Sequence, residues 1–345
     1  MGARSRLSRL SPPQAAIRLL PPGDADGIAA YLRVRNEVTP ERPDSADQAR
    51  WEDATYPGQI ARFLAADAGG TIVGAATTGR IWMHGPDYPR FWLGLWVVPE
   101  ARRRGVGRAL LAATAAAARS AGKTGFQTEL SVAQLEGHRF LAVRGFVETG
   151  RTKDVRLELT GVAAPEVDSP PGIRITSLAA EPGLLPGVHT TAVEAFPDVP
   201  TGGEPLYAGS LEEFAARDVD RQAVPREAFK VAVDEASGEV AGYASLIYAP
   251  GRPTLAYHDM TAVRPAFRGR GVAGALKRAT IAWAIANGVE TLETGNDEGN
   301  APMRAVNARL GYRALPDLIS LQGPLPRAPG SDRRPAAGSR LDFGP

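Results

Sequence analysis

Two apolar runs of strand length, residues 91–98 and 254–263, each lead into a loop rich in Pro, Gly and Arg. A stretch follows in which small and apolar residues recur at helical spacing. Each stretch opens at a glycine and stops at another, Gly122 or Gly288, where a helix commonly ends in a left-handed residue. Further apolar runs come next, 126–132 and 291–294, and then short helical patterns ending in Arg144-Gly145-Phe146 and Leu310-Gly311-Tyr312. Upstream, 71–78 and 231–244 read as strands, the second a hairpin turning at Ser237-Gly238. This order of elements predicts an α/β or α+β chain with mixed sheets flanked by helices.

The pattern occurs twice because the sequence does. Residues 97–146 align without gaps on 263–312, pairing Val97 with Val263, Pro99 with Pro265, Arg102 with Arg268, Gly105 with Gly271, Leu110 with Leu276, Gly122 with Gly288 and Gly145 with Gly311. Roughly a third of these positions are identical, and the shared glycines and prolines are those that constrain backbone. A length of 345 residues suits two cores. The expected domains are 15–160 and 173–323. Between them 161–172 reads as a linker, since Pro165, Ser169, Pro170 and Pro171 interrupt the periodicity between strands at 155–159 and 173–175. Residues 1–14, with Arg4, Arg6 and Arg9, read as a basic arm, and 324–345 as a disordered tail poor in apolar residues.

Composition narrows the chemistry. The absence of cysteine excludes disulfides, thiolate nucleophiles and Cys-ligated metals. His84, His138, His189 and His258 are scattered without metal-ligand spacing, so no metal is expected. A net charge of +2 is too small for a polybasic nucleic-acid binder, and no apolar run reaches membrane-spanning or signal-peptide length. The expectation is a cytoplasmic protein with neither nucleic acid nor membrane as partner.

The loops 102–107 (Arg-x-x-Gly-x-Gly) and 268–273 (Arg-x-x-Gly-x-Ala) sit between a strand and a helix N-terminus. Small residues let backbone approach a ligand. The first-turn N–H groups lack intrahelical partners, and the helix dipole favours an anion there. Pyrophosphate is the natural occupant, with Arg103, Arg104 and Arg108, or Arg268 and Arg270, able to add charge-assisted contacts. Gly269-x-Gly271-x-x-Gly274, with Glu293 downstream, also fits a dinucleotide fingerprint, which would make the chain an oxidoreductase. Several residues separate that first Gly from its strand, however, and the other copy has Leu110 at the third position. Gly122-Lys123-Thr124 ends a helix where a Walker loop would open one, and no Gly-x-Ser-x-Gly elbow occurs.

Val97-Val98-Pro99 through Gly107, and Val263-Arg264-Pro265 through Ala273, together with the distal Gly145-Phe146 and Gly311-Tyr312, resemble the acetyl-CoA loop and closing motif of the GNAT N-acetyltransferase superfamily. The doubled arrangement is similar to actinobacterial two-domain members. The resemblance implies two fused acyl-CoA N-acyltransferase folds, each a splayed mixed sheet with the pantetheine arm between diverging strands. It also implies direct transfer of acetyl from acetyl-CoA to the amine of a small molecule or peptide. On this reading the CoA contacts are Val97, Val98, Arg103, Arg104, Gly105, Val106, Gly107 and Arg108 in the first half. In the second they are Ala262, Val263, Arg268, Gly269, Arg270, Gly271, Val272 and Ala273. A backbone N–H at Val263 or its neighbour would stabilise the oxyanion.

The halves are not chemically equal. An amine must shed a proton before it attacks, so a carboxylate or imidazole is useful. Period-two alternation places Asp259, Thr261 and Val263 on one strand face and His258 on the other, making Asp259 the leading base with Glu293 and His258 behind it. The first half has Leu93, Leu95 and Val97 there. Asn300 and Asn307 lie two helical turns apart, able to face one CoA groove. Many family members carry a Tyr four residues before the distal Gly as the acid for the departing thiolate; here those positions are Leu141 and Asn307, leaving Tyr312, Tyr257 or water for that role. Catalysis is therefore expected in the second half. The first half would support the fold or hold CoA, and the alternative for the whole chain is a non-catalytic acyl-CoA-binding sensor or scaffold.

Overall fold

The computed structural model describes residues 15–201 and 205–327; the arm at 1–14 and positions 328–345 of the expected tail lie outside the described residues. The first half runs β1 (Ala16–Leu19), α1 (Ala25–Val38), α2 (Ala46–Thr55), β2 (Ile60–Ala66), β3 (Ile72–Gly79), β4 (Arg90–Val97), α3 (Val106–Ser120), β5 (Gly125–Ser131), α4 (Leu135–Ala142) and β6 (Val147–Glu158). The second runs β7 (Ile173–Ser177), α5 (Leu185–Ala195), α6 (Leu211–Phe214), β8 (Lys230–Asp234), β9 (Val240–Ala249), β10 (Arg252–Val263), α7 (Val272–Ala286), β11 (Thr291–Asp297), α8 (Ala301–Arg309), β12 (Arg313–Ala314) and β13 (Leu318–Pro324). The α6 turn continues into a π turn, Ala215–Val219.

Local chemistry explains the repeated unit. Both α3 and α7 begin at a left-handed glycine, Gly105 at φ +90° and Gly271 at φ +84°, a conformation a Cβ disfavours. Leu110, Leu111, Thr114, Ala115 and Ala118 line the buried face of α3, as Ala275, Leu276, Ala279, Thr280 and Ala284 do on α7. Each helix covers one face of its sheet. In the second half α7 packs on a core containing Leu276, Ala244 and Val272, while α5 covers the opposite face through Val188, Ala192 and Tyr243.

The strands form one continuous mixed sheet in the order β1-β2-β3-β4-β5-β13-β6-β11-β10-β9-β8-β7, with β12 on β6. The last strand of each sequence half is exchanged. β13 enters the first half between β5 and β6, pairing Leu318 with Ser131 and, on its other side, with Thr152. β6 in turn supplies the strand beside β11, pairing Asn296 with Lys153 and Glu293 with Arg156. Pro324, expected at the start of a disordered tail, ends β13, and Leu325 packs beside Phe126 and Phe146. The tail reading fails there because an apolar strand needs its last residues to complete a distant core.

Candidate active site

In each half the parallel pairing that carries the site is short. β10 meets β11 only at Leu255–Tyr257 against Thr291–Glu293, and β4 meets β5 only at Arg90–Trp92 against Gly125–Gln127. Beyond those residues the strands part, leaving one edge of each without a neighbour. In the second half this gap opens into a cleft of about 1080 Å³ lined by Thr261, Ala262 and Val263, the loop 267–274, and Asn300, Met303 and Val306 of α8. Gly269, Arg270, Gly271, Val272 and Ala273 all line it. At the start of α7 the Ala275 N–H donates to Gly271 O at 3.1 Å, so the amides ahead of Ala275 lie in the first turn. No side chain caps this end and no acid lies in its first turn, which leaves the first-turn N–H groups to an incoming anion.

The strand edge supplies an oriented donor. Arg264 gives its N–H to Ala241 O on β9 at 3.0 Å. Because successive N–H groups point to opposite sides of a strand, the Val263 N–H points into the gap. Arg268 does not reach toward the helix end: its Nε donates to Val263 O at 3.0 Å and its Nη1 to Asp198 at 2.8 Å. It fastens the loop to the strand end. Arg102 does the same in the first half, through Val97 O at 3.1 Å and Glu136 at 2.8 Å.

The alternation argument for Asp259 needs correction. A bulge between His258 and Thr261 adds a residue to β10 relative to β9. Val263 therefore packs toward α7 and Ala262 toward the α5 core, whereas Asp259 is exposed, and its charge raises the pKa of Asp218 and Tyr243, after burial. His258 is buried under α7, its Nδ1 2.7 Å from Tyr312 Oη and its Nε2 2.7 Å from Thr280 Oγ1. Burial and then the nearby Lys277 charge hold its imidazole well below the usual histidine range, and burial pushes the Tyr312 phenol up. Both are sealed from the cleft, as is Asn307, which joins Lys277 Nζ at 2.8 Å to Asn296 Oδ1 at 2.6 Å. Glu293 faces Arg156 of β6, at 2.5 Å and 3.0 Å. Asn300 caps α8 through Met303 N and lines the cleft.

Lys277 and Asp218 escape a reading of the sequence. A single Lys within a helical pattern reads as solvated, yet Lys277 is buried and packs over the Tyr312 ring at 5.2 Å. In register, the polar set Lys277, Asn296 and Asn307 stands where the first half packs Leu111, Leu130 and Leu141 into one apolar cluster. Burial lowers the Lys277 ammonium to about 7. The unfolded chain, with an ordinary lysine near ~10.4, then binds more protons than the folded one between those values, so this group makes stability rise with pH across that window. Lys277→Met removes the dependence. Melting curves should show the variant losing ground to the parent as pH climbs from 7 to 10; a constant difference would mean the lysine stays charged when folded. Asp218 sits in the π turn after α6, where burial pushes its carboxyl up to about 6 against the opposing pull of Arg217.

The first-half loop has the same backbone but less room. Arg103 takes φ +62° where Gly269 takes φ +75°, a strained position for a side chain. The Phe140 ring lies 3.4 Å from where a Cβ on Gly107 would stand, with Arg144 stacked on it at 3.6 Å, so α4 closes onto the start of α3. Arg108 approaches Arg144 closely enough to lower its pKa, after burial. Val97, Val98, Arg104, Gly105 and Val106 complete this loop, with Val98 and Val106 in the core. Among the described residues no cluster of His, Asp or Glu could hold a metal ion, and no helix is long and apolar enough to cross a membrane.

A model of the acetyltransferase (GNAT) family matches residues 29–146 and 194–312. The aminoglycoside N(6')-acetyltransferase type 1 of Stenotrophomonas maltophilia is 32% identical over 147 residues, covering 41% of this chain and 93% of that protein. Two solved structures share the whole architecture. A tandem GNAT protein from the clavulanic acid biosynthesis pathway matches with a TM-score of 0.71 at 19% identity, covering 91% of this chain and 99% of that one. A GCN5-related N-acetyltransferase from Sphaerobacter thermophilus matches with a TM-score of 0.69 at 18% identity, covering 90% and 96%. Fold and comparisons together define an N-acetyltransferase made of two fused acyl-CoA N-acyltransferase folds. The chain belongs to the GNAT family.

Proposed function

We propose that the second half transfers acetyl from acetyl-CoA to a primary amine, with the loop 268–273 as its pyrophosphate site. The observation that carries this reading is the cleft itself, where an uncapped helix start, the inward Val263 N–H and α8 surround a single gap between parted strands. The amine nitrogen attacks the thioester carbonyl, the C–S bond breaks, and CoA leaves as a thiolate that takes up a proton. Charge building on the carbonyl oxygen meets the Val263 N–H. Asp259, exposed at the bulge, receives the proton lost by the amine, directly or through water. Loss of the proton-accepting group predicts that Asp259→Asn lowers kcat by about 100-fold and leaves acetyl-CoA affinity unchanged. Calorimetry for affinity and thiol release for turnover measure the two separately. Absence of acetyl-CoA binding to the parent would refute the reading, whereas unchanged turnover in the variant would remove Asp259 from it.

A further inference from the structure

The seam where the first half abuts α6 carries a set of polar groups that the fold leaves incompletely bonded. Arg80 of the first half pairs with Glu213 at 2.6 Å, and Arg217 donates to Trp82 O at 3.0 Å and Tyr207 O at 3.1 Å. Arg217 also grips Asp218 through Nε at 2.9 Å and Nη2 at 2.7 Å. Tyr56 stacks on Trp82 at 3.7 Å, and the Arg80 guanidinium lies 5.8 Å from the Tyr56 ring. Arg221 lies over Trp51 at 4.4 Å and reaches Gln48 at 3.1 Å. Residues from both halves thus surround the turn that carries Asp218.

Two hydroxyls in this set have no partner. Tyr56 Oη and Tyr243 Oη are buried without a hydrogen bond, in residues only 3% and 1% exposed, and Arg80 Nε and Arg221 Nε are unpaired as well. Tyr56 lies in the fields of Arg217, Glu213, Arg80 and Asp218, and Tyr243 in those of Asp218, Asp259 and Arg217. Leaving a buried polar group unmet costs stability, and a bound ligand that supplies the missing bonds recovers it. The charge this group leaves exposed is negative. Each of the three guanidiniums already has protein partners, whereas no described side chain forms an ion pair with Asp259, which repels Asp218. Asp259 is exposed, on the strand that carries Thr261–Val263 into the cleft.

We propose that this seam is the acceptor site, taking a cationic amine between Asp218 and Asp259, with Tyr243 and the first half's Tyr56 as hydrogen-bond partners. The assignment rests on acetyl transfer by the second half, and it makes the first half part of the second half's active site. It predicts a preference by charge and a dependence on a residue remote in sequence.

The test uses the full chain with acetyl-CoA and four probe amines: spermidine, glucosamine, glycine and glutamate. The cationic pair should exceed the zwitterionic and anionic probes by about tenfold or more in kcat/KM, in keeping with a charge-assisted bond. With the better cation, Tyr56→Phe and Asp218→Asn should each raise its KM about tenfold while the calorimetric affinity for acetyl-CoA stays unchanged. Tyr56→Phe removes only an unpartnered hydroxyl, so its melting temperature should hold or rise; a shift in melting with unchanged KM would mean a purely structural role and overturn the proposal. A preference for glutamate or glycine would also overturn it. If acetyl-CoA binds but neither cation is turned over or bound, the seam assignment fails while acyl-CoA binding stands. If acetyl-CoA does not bind, the acetyl-transfer reading itself fails.

Discussion

Gly271→Trp is expected to abolish acetyl-CoA binding, and with it turnover, whereas Gly105→Trp leaves turnover within a few-fold of the parent. Gly271 holds φ +84° at the start of α7 and lines the cleft, with Pro170 3.7 Å from the place a Cβ would take. A side chain there strains the backbone by roughly 1–2 kcal/mol and also projects into the space the pyrophosphate would occupy. Gly105 has nearly the same geometry, φ +90°, but Phe140 already narrows its groove, and leucines stand where the second half has Asp259, Lys277, Asn296 and Asn307. Both variants need a melting curve to establish that they fold. Calorimetry with acetyl-CoA and thiol release then decide. Loss of turnover from Gly105→Trp alone would place the active half at the other end of the chain.

Truncation after Leu315 is expected to unfold the first half, although every residue removed lies far along the chain from it. β13 is an internal strand, bonded to β5 on one side and β6 on the other, and Ile319 and Leu321 are buried with Phe126, Phe146 and Leu141. Removing it exposes two strand edges and opens an apolar core. The loss of two buried aliphatic side chains alone costs about 4–10 kcal/mol, comparable with the whole stability of a domain. Circular dichroism and melting of the truncated chain should show no cooperative first-half transition. A truncated protein that melts like the parent would mean that β5 and β6 close on each other without β13.

The duplication and the two loops were legible because their signals are local. Gly105 and Gly271 each need a positive φ at a helix start, Gly122 and Gly288 need one at a helix end, and the spacing between them fixes the unit. The exchange of β6 and β13 was not, since Leu318–Pro324 reads as a closing strand whatever neighbour it chooses, and strand pairing is decided by tertiary contacts. The face assignment at Asp259 failed for a related reason. Period two holds only where no residue is inserted, and the bulge that breaks it lies in the pairing with β9. Lys277 was missed because burial of a lone lysine depends on what Asn307 and Tyr312 do on other elements. Asp218 escaped in the same way, its surroundings being assembled from Tyr56, Arg217 and Tyr243 across the seam.

The exchanged strands give the chain the symmetry of a homodimer. β6 and β13 close equivalent halves and run antiparallel side by side, with Ser320 opposite Gly150, so a pseudo-twofold axis passes between them. Each half donates its closing strand to the other, as two protomers of a domain-swapped pair would, and residues 161–172 join the end of one to the start of its partner. The covalent link therefore fixes stoichiometry more than it fixes shape. Once two copies are held in one molecule, a substitution need no longer be tolerated by both sides of the dyad. One side is then able to become leucine-lined and structural while the other accumulates buried amides and a lysine, a divergence forbidden to a symmetric dimer encoded by a single repeat.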